Sequence, residues 1–432
     1  MSARSGSEES GAFAVHPARA RVLAEVHARP FMPIEPPRRL LHFGFMTDHW
    51  AAAKDRAAFE AFCLARACPA PSPDAKHHRA ELSPAVLRWE HHGEFTTYTW
   101  EFPGEDGAPF RPGPNELAHL MRLLPAPGPM LVAVDLHILP ERAVADGLGH
   151  LFGPSQLAAS EVEDGAARIA TDFHQDAFGF VRILVLDRKL APPQAGALVQ
   201  RLLEIETYRT LALLGLPEAQ DLIPSIRRIE TELPLLMNQM RESQGFDANK
   251  HLLDRLTALS ADLEAGAAHG LFRFGATRAY DELVGARIES LAERPFGGLP
   301  TLAAFLSRRL TPAIHTCAST QARQENLSGK LSRAAQLLRT RVEIELESQN
   351  NDVLHKMNDR ARMQLRLQQM VEGLSIAALT YYISAIFHLI FEGVHTRVAW
   401  LDPTVATALV VPFAFLFAAL SLRRIRKHFE EK

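Results

Sequence analysis

What this chain of 432 residues lacks narrows what it can be. It is poor in cysteine: Cys63, Cys68 and Cys317 form no C-x-x-C pair, and an odd number of thiols does not fit a disulfide framework, which points to a reducing compartment. It has no excess charge of one sign, with 47 Lys plus Arg against 50 Asp plus Glu, so no global basic field attracts nucleic acid. The opening MSARSGSEESGAFAVHPARA has no apolar run of signal-peptide length, so export through such a signal is not expected. No nucleophile elbow, H-E-x-x-H or kinase pattern occurs, and the sequence does not support an enzyme.

The partial motifs carry little. SGKLS, Ser328–Ser332, imitates the end of a phosphate-binding loop, but Gln324 stands where the leading glycine should be and the surroundings read as helix. GLGHLFG, Gly147–Gly153, has the wrong glycine spacing for a dinucleotide fingerprint. Cys63, Cys68, His77, His78, His91 and His92 are soft-metal ligand types at spacings that match no zinc pattern, so no metal or other cofactor is expected. His27 and Arg29, followed by Pro30 in EVHARPF, could hold an anion, or form a structural turn through Arg29 hydrogen bonds.

Long apolar runs are absent until the last sixty residues, where two follow in succession. Gly373–Phe391 is uncharged over about 19 residues, roughly 28 Å as a helix, close to the hydrocarbon thickness of a bilayer. Val398–Leu422 carries one charge, Asp402, near its start, with Pro403 where a helix can begin and Pro412 mid-span. The linker Glu392–Arg397 allows only a tight hairpin. Lys356, Arg360, Arg362 and Arg366 precede the first span and Arg423, Arg424, Arg426 and Lys427 follow the second, whereas the linker offers Arg397 alone. The positive-inside rule then puts both termini in the cytoplasm. At 100° per residue Gly373, Ala377, Thr380, Ser384 and His388 share one face of the first span. Small and hydroxylated residues there permit close helix packing, or line a hydrated path at a symmetry axis with His388 and Glu392 at its mouth.

Ahead of the hairpin, strand patterns occur at Leu40–Phe45, in PAVLRWEHHGEFTTYTWEF, in MLVAVDLHILP, and as a hairpin turning at Asp176–Gly179. Helical spacing of Trp50, Phe59, Phe62 and Leu64 marks a first helix, and PPQAGALVQRLLEIETYRTLALLGLP a second. ERPFGGLP breaks a helical stretch, and Thr311 with Pro312 reads as the start of a long helix. Unbroken to Met370 it would be about 88 Å long, with Gly329 and SQNND as weak points. Leu327, Leu331, Leu338, Val342, Leu346, Val353 and Met357 form an interrupted apolar seam suited to an oligomer-forming stalk. RTRVEIELE alternates like a strand, yet Arg339 with Glu343 and Arg341 with Glu345 are i,i+4 pairs, and helix is the reading taken.

Three blocks carry a resemblance: EVHARPF, EIETYRTLALLGLP at Glu204–Pro217, and RTRVEIELESQNNDVLHKMNDRARMQLRLQQMVEGLSIAALTYYISAI. Together they resemble the bacterial domain-of-unknown-function 3422 family of predicted membrane-anchored proteins, over nearly the whole chain. The resemblance implies a bacterial membrane location and no activity. The order of elements is similar to CorA-type magnesium channels, but FEGVHTR stands where those carry Gly-Met-Asn at the end of the first span.

The expected fold is therefore an α+β membrane protein. Residues 1–15 are a disordered N-terminus, 16–217 a cytosolic α/β domain with a mainly antiparallel sheet, and 218–300 a helical region. Residues 301–372 form stalk helices, 373–422 the transmembrane hairpin (spans 373–391 and 400–422), and 423–432 a basic cytosolic tail. The expected function is an oligomeric scaffold or sensor in the bacterial inner membrane, with the lipid bilayer and its own copies as partners and no nucleic acid; the sequence names no small-molecule or ion ligand. The alternative is a CorA-like divalent-cation channel or transporter lacking Gly-Met-Asn.

Overall fold

A computed structural model describes residues 16–19, 22–23, 31–73, 75–104, 109–110, 121, 124–144, 147–152, 157–395 and 402–430, with residues 269 and 425–430 as backbone only. The N-terminal segment 1–15 and the EVHARPF residues His27, Arg29 and Pro30 lie outside the described residues, as does the linker from residue 396 to 401. The chain divides into two compact units, residues 1–235 with 257–332, and residues 236–256 with 333–432.

The first unit is built on a nine-stranded sheet in the order β2-β3-β4-β1-β5-β8-β7-β6-β9. Its strands are β1 (Arg38–Met46), β2 (His77–Leu82), β3 (Ala85–His91), β4 (Phe95–Pro103), β5 (Met130–Pro140), β6 (Ala158–Val162), β7 (Ala167–Gln175), β8 (Val181–Asp187) and β9 (Arg294–Pro295). Every pairing is antiparallel except β5 with β8. Alternation along the strands sorts side chains to the two faces. Leu40, Val134, Leu136, Ile138, Ile183 and Val185 face one core with helix α2 (Pro192–Leu213), whose Leu198, Val199, Leu202 and Leu203 are buried against them. Leu41, Phe43, Trp89 and Tyr98 face the other way, toward helix α1 (His49–Leu64).

Helix α1 starts at Asp48, whose carboxylate accepts from the Ala51 N–H. It buries Phe59 and Phe62, while Trp50 and Leu64, expected on the same apolar face, lie on the outside at 75% and 64% exposure. Asp55 fills that inner face instead, accepting from Trp89 Nε1 at 2.8 Å and Tyr98 Oη at 2.6 Å. Burial holds its carboxyl above the usual range, against the pull of those two bonds. On α2, a Cβ at Gly196 would stand 1.8 Å from the Met32 carbonyl oxygen, so only glycine lets that segment cross the helix.

Three further helices follow: α3 (Gly215–Glu242), α4 (Phe246–Ser290) and α5 (Leu302–His395). The Thr311–Pro312 start is corrected here, because α5 begins ten residues earlier. Thr301 Oγ1 accepts from the Ala304 N–H and the Glu293 carboxylate accepts from the N–H groups of Leu302 and Ala303, so the first turn is capped there and Pro312 is accommodated within it. Gly329 and SQNND do not interrupt α5.

The second unit holds the turn between α3 and α4, the remainder of α5, and helix α6 (Pro403–Glu430). Glu345 accepts from the Gly245 N–H and Asn249 Nδ2, and Arg341 donates to the Met240 carbonyl, so both residues bind the turn. Leu236, Met240, Leu252, Leu256 and Leu338 are buried in this unit. From Leu346 to Val371 every residue of α5 is exposed.

Candidate functional site

The 204–213 stretch of α2 concentrates polar chemistry on a helix that is otherwise core. Three- and four-residue steps send Gln200, Glu204, Thr207 and Tyr208 to one flank and Glu206, Arg209 and Leu213 to the other. Each flank borders a cleft within the first unit.

The first cleft is small, about 30 Å3, room for a water or two. Its floor is His42 of β1 with Thr97 and Thr99 of β4, and Arg88 and Glu90 of β3 stand beside them. His42 is buried, with Nδ1 at 2.8 Å from Thr99 Oγ1 and Nε2 at 3.0 Å from Thr207 Oγ1. Thr207 already gives its hydroxyl proton to the Leu203 carbonyl, so it accepts from His42, and Nε2 carries the ring proton. Burial, helped by the Arg88 charge, lowers this imidazole to about 3 and keeps it neutral. Gln200 Nε2 donates to Glu204 at 2.9 Å, while its buried Oε1 meets no partner. Glu204 is also paired with Arg287.

The second cleft is larger, about 200 Å3, walled by Leu213 of α2, Phe305, Leu306 and Leu310 of α5, and Phe173 of β7. Arg209 lines it while bonded through Nε and Nη2 to Glu206, both at 2.6 Å. Burial raises the Glu206 carboxyl, against the lowering effect of Arg209. Phe173 adopts φ +52°, a left-handed backbone costly for a bulky residue, where the β7–β8 register shifts. Its ring stacks on Phe305 at 5.1 Å, and the Arg209 and Arg309 guanidinium groups lie over Phe173 and Phe305 at 4.9 and 3.8 Å.

A buried charge cluster occupies the opposite sheet face. Arg39 binds Asp135 in bidentate fashion at 3.0 Å, and His137 Nε2 is 3.2 Å from the same carboxylate. Burial pushes the Asp135 carboxyl up, but the bonds from His137 and Arg39 outweigh it and hold it below the usual range. Among the described residues no group of three His, Cys, Asp or Glu side chains is placed to hold a metal ion.

A family model described as a protein of unknown function (DUF3422) matches residues 14–429. The chain belongs to the DUF3422 family. No curated protein and no solved structure matches it, and the CorA-like order of elements is left without support.

In this DUF3422 chain the EIETYRTLALLGLP block forms most of the wall between the two clefts. The residues singled out in the first apolar run separate: Thr380 and Ser384 are buried and His388 half-buried, while Gly373 and Ala377 are exposed. His388 Nδ1 meets Thr407 Oγ1 of α6 at 2.9 Å, and Ala414 and Ala418 are the buried residues of α6 among the described side chains. Sequence reasoning missed His42, Phe173 and Arg309, which come from strands and a helix far apart in the chain. The one local signal was the dense alternation of acidic, hydroxyl and basic residues in Glu204–Thr210.

Proposed function

We propose that this protein is a membrane-anchored sensor or scaffold, assembled from several copies, whose first unit works in the cytoplasm. The observation that carries the reading is exposure: the apolar windows of α5 and α6 that are long enough to cross a bilayer are only 6% and 11% buried. Leu374, Tyr381, Phe413 and Phe417 are each more than 60% exposed. In water that surface would far exceed the few hundred Å2 that monomeric soluble proteins tolerate, whereas in hydrocarbon it is already satisfied.

The basic residues flanking the hairpin favour the bacterial inner membrane with both ends cytoplasmic. The exposed seam at Leu346, Val353 and Met357 supports self-association of the stalk, since a lone solvated helix gains little stability from propensity. His388 of the first span meets Thr407 of α6 at 2.9 Å, which supports close packing of the two helices as an anchor.

The test is extraction and labelling. Washed membranes should retain the protein at alkaline pH, and a Gly393→Cys variant in intact spheroplasts should react with an impermeant maleimide from outside, the native Cys63, Cys68 and Cys317 being buried. Release by the alkaline wash would sink the anchor; labelling only after lysis would reverse the orientation.

A further inference from the structure

We propose that the cleft between Arg209 and Arg309 binds a small monocarboxylate with a compact apolar body. This deepens the sensor reading and rests on it only in taking the first unit as the ligand-binding part.

The charge count favours an anion. Arg209 is neutralised by Glu206 and Arg182 by Asp172, at 2.6 and 3.0 Å, which leaves Arg309 without a carboxylate among the described residues. Its only hydrogen bond there is a long one, 3.5 Å, from Nη1 to the Phe305 carbonyl. A single uncompensated cation suits a monoanion, and a guanidinium fork matches the two oxygens of a carboxylate.

Preorganisation points the same way. Each guanidinium rests on one ring of the stacked Phe173–Phe305 pair, so its N–H groups are oriented before any ligand arrives. Phe173 reaches that stack through its left-handed backbone, held by the Thr171 hydroxyl accepting from the Phe173 N–H at 3.1 Å and the Asp172 carboxylate accepting from the His174 N–H at 3.2 Å. Strain kept at a cleft wall accords with a binding role.

Size and polarity limit the rest of the ligand. Leu213, Leu306 and Leu310 line the cleft beside the rings; of the other polar lining, Asp172 is held by Arg182 and His174 stands next to it, so the body that follows the carboxylate meets mostly apolar wall. A volume of about 200 Å3 lies below the ~300–1,000 Å3 of sites for drug-sized molecules, so the body is an aryl ring or a short branched chain.

The test uses the full chain purified in detergent, titrated calorimetrically with benzoate and 3-methylbutanoate, with benzamide as the uncharged counterpart and inorganic phosphate as a bare anion. At least one carboxylate should bind about tenfold or more tighter than benzamide and phosphate. Arg309→Gln should lose that preference, Arg309→Lys should keep part of it, and Arg308→Gln, an exposed neighbour outside the cleft, should leave it intact. Arg309 is exposed, so the unliganded melting temperature of the Gln variant should match the native protein. Binding of neither carboxylate at millimolar concentration, equal binding of benzamide, tighter binding of phosphate, or equal loss in Arg308→Gln would each overturn the proposal. Failure here with the protein still held in alkaline-washed membranes would refute the ligand and leave the anchor standing.

Discussion

The two units of this chain treat the same side chains in opposite ways. In the first, Phe59, Trp89 and Tyr98 are sealed from solvent, and the Asp55 carboxylate buried beside them accepts from Trp89 and Tyr98. In the second, Phe413 and Tyr381 are at least 70% exposed, and leucines along the stalk stand in the open. An apolar residue is placed by the medium around it, so the contrast marks where water is expected to be the solvent and where lipid or another copy is.

The contrast is broken most directly by cutting an aromatic ring in each region. Phe59→Ala removes a fully buried ring and is expected to destabilise the first unit by about 3–5 kcal/mol. Phe413→Ala removes a ring that meets few protein neighbours and should cost under about 1 kcal/mol in detergent. Chemical unfolding reads both when two signals are followed: the fluorescence of Trp89 and Trp100, buried in the first unit, for Phe59→Ala, and the helical circular dichroism of the full chain for Phe413→Ala. Similar losses in the two variants would mean that the hairpin is a packed core.

A smaller effect isolates the polar floor under α2. His42 is held near 3 in the fold and titrates near 6.5 when unfolded, so between those values the unfolded chain binds the extra proton. Its contribution is intact above pH 6.5 and is lost as pH falls toward 3, about 2 kcal/mol by pH 5. Asp55 and Glu206, whose carboxyls are raised by burial, act with the opposite sign in acid, so the native pH profile mixes the terms. The difference between native protein and His42→Gln separates them: the variant should lose less stability from pH 7 to pH 5. Parallel profiles would show that His42 is not the group taking up the proton.

These positions also show how far the sequence could be read. The two long apolar helices were legible because length and apolarity are properties of consecutive residues, which a sequence displays directly. Strands β1, β3, β4, β5, β7 and β8 were legible as apolar or patterned runs bounded by turn residues, whereas β2, β6 and β9 are short or lie at an edge and carry little pattern. The start of α5 was misplaced because Thr311–Pro312 is a strong local signal, while the real cap comes partly from Glu293 nine residues ahead of Leu302. The second cleft was invisible for a related reason. Arg209, Phe173 and Arg309 meet only after α2, β7 and α5 pack on one another, and no spacing along the chain encodes that meeting.

The smallest expected change in unfolding energy probes the open side of the contrast. Val353 and Met357 are 54% and 61% exposed on a stretch of α5 where no residue is buried. Val353→Asp with Met357→Asp should therefore alter unfolding of the first unit by no more than about 0.5 kcal/mol, the usual range for surface positions. The same pair introduces two carboxylates into the seam by which the stalks are proposed to associate, where desolvating them is costly. Native mass spectrometry in detergent should then show the native protein as a multimer and the double variant as a monomer, with unfolding unchanged. A variant that keeps its full copy number would remove the seam as the interface. The exposed leucines and methionines of the stalk would then need another cover, while the burial argument for the first unit would stand untouched.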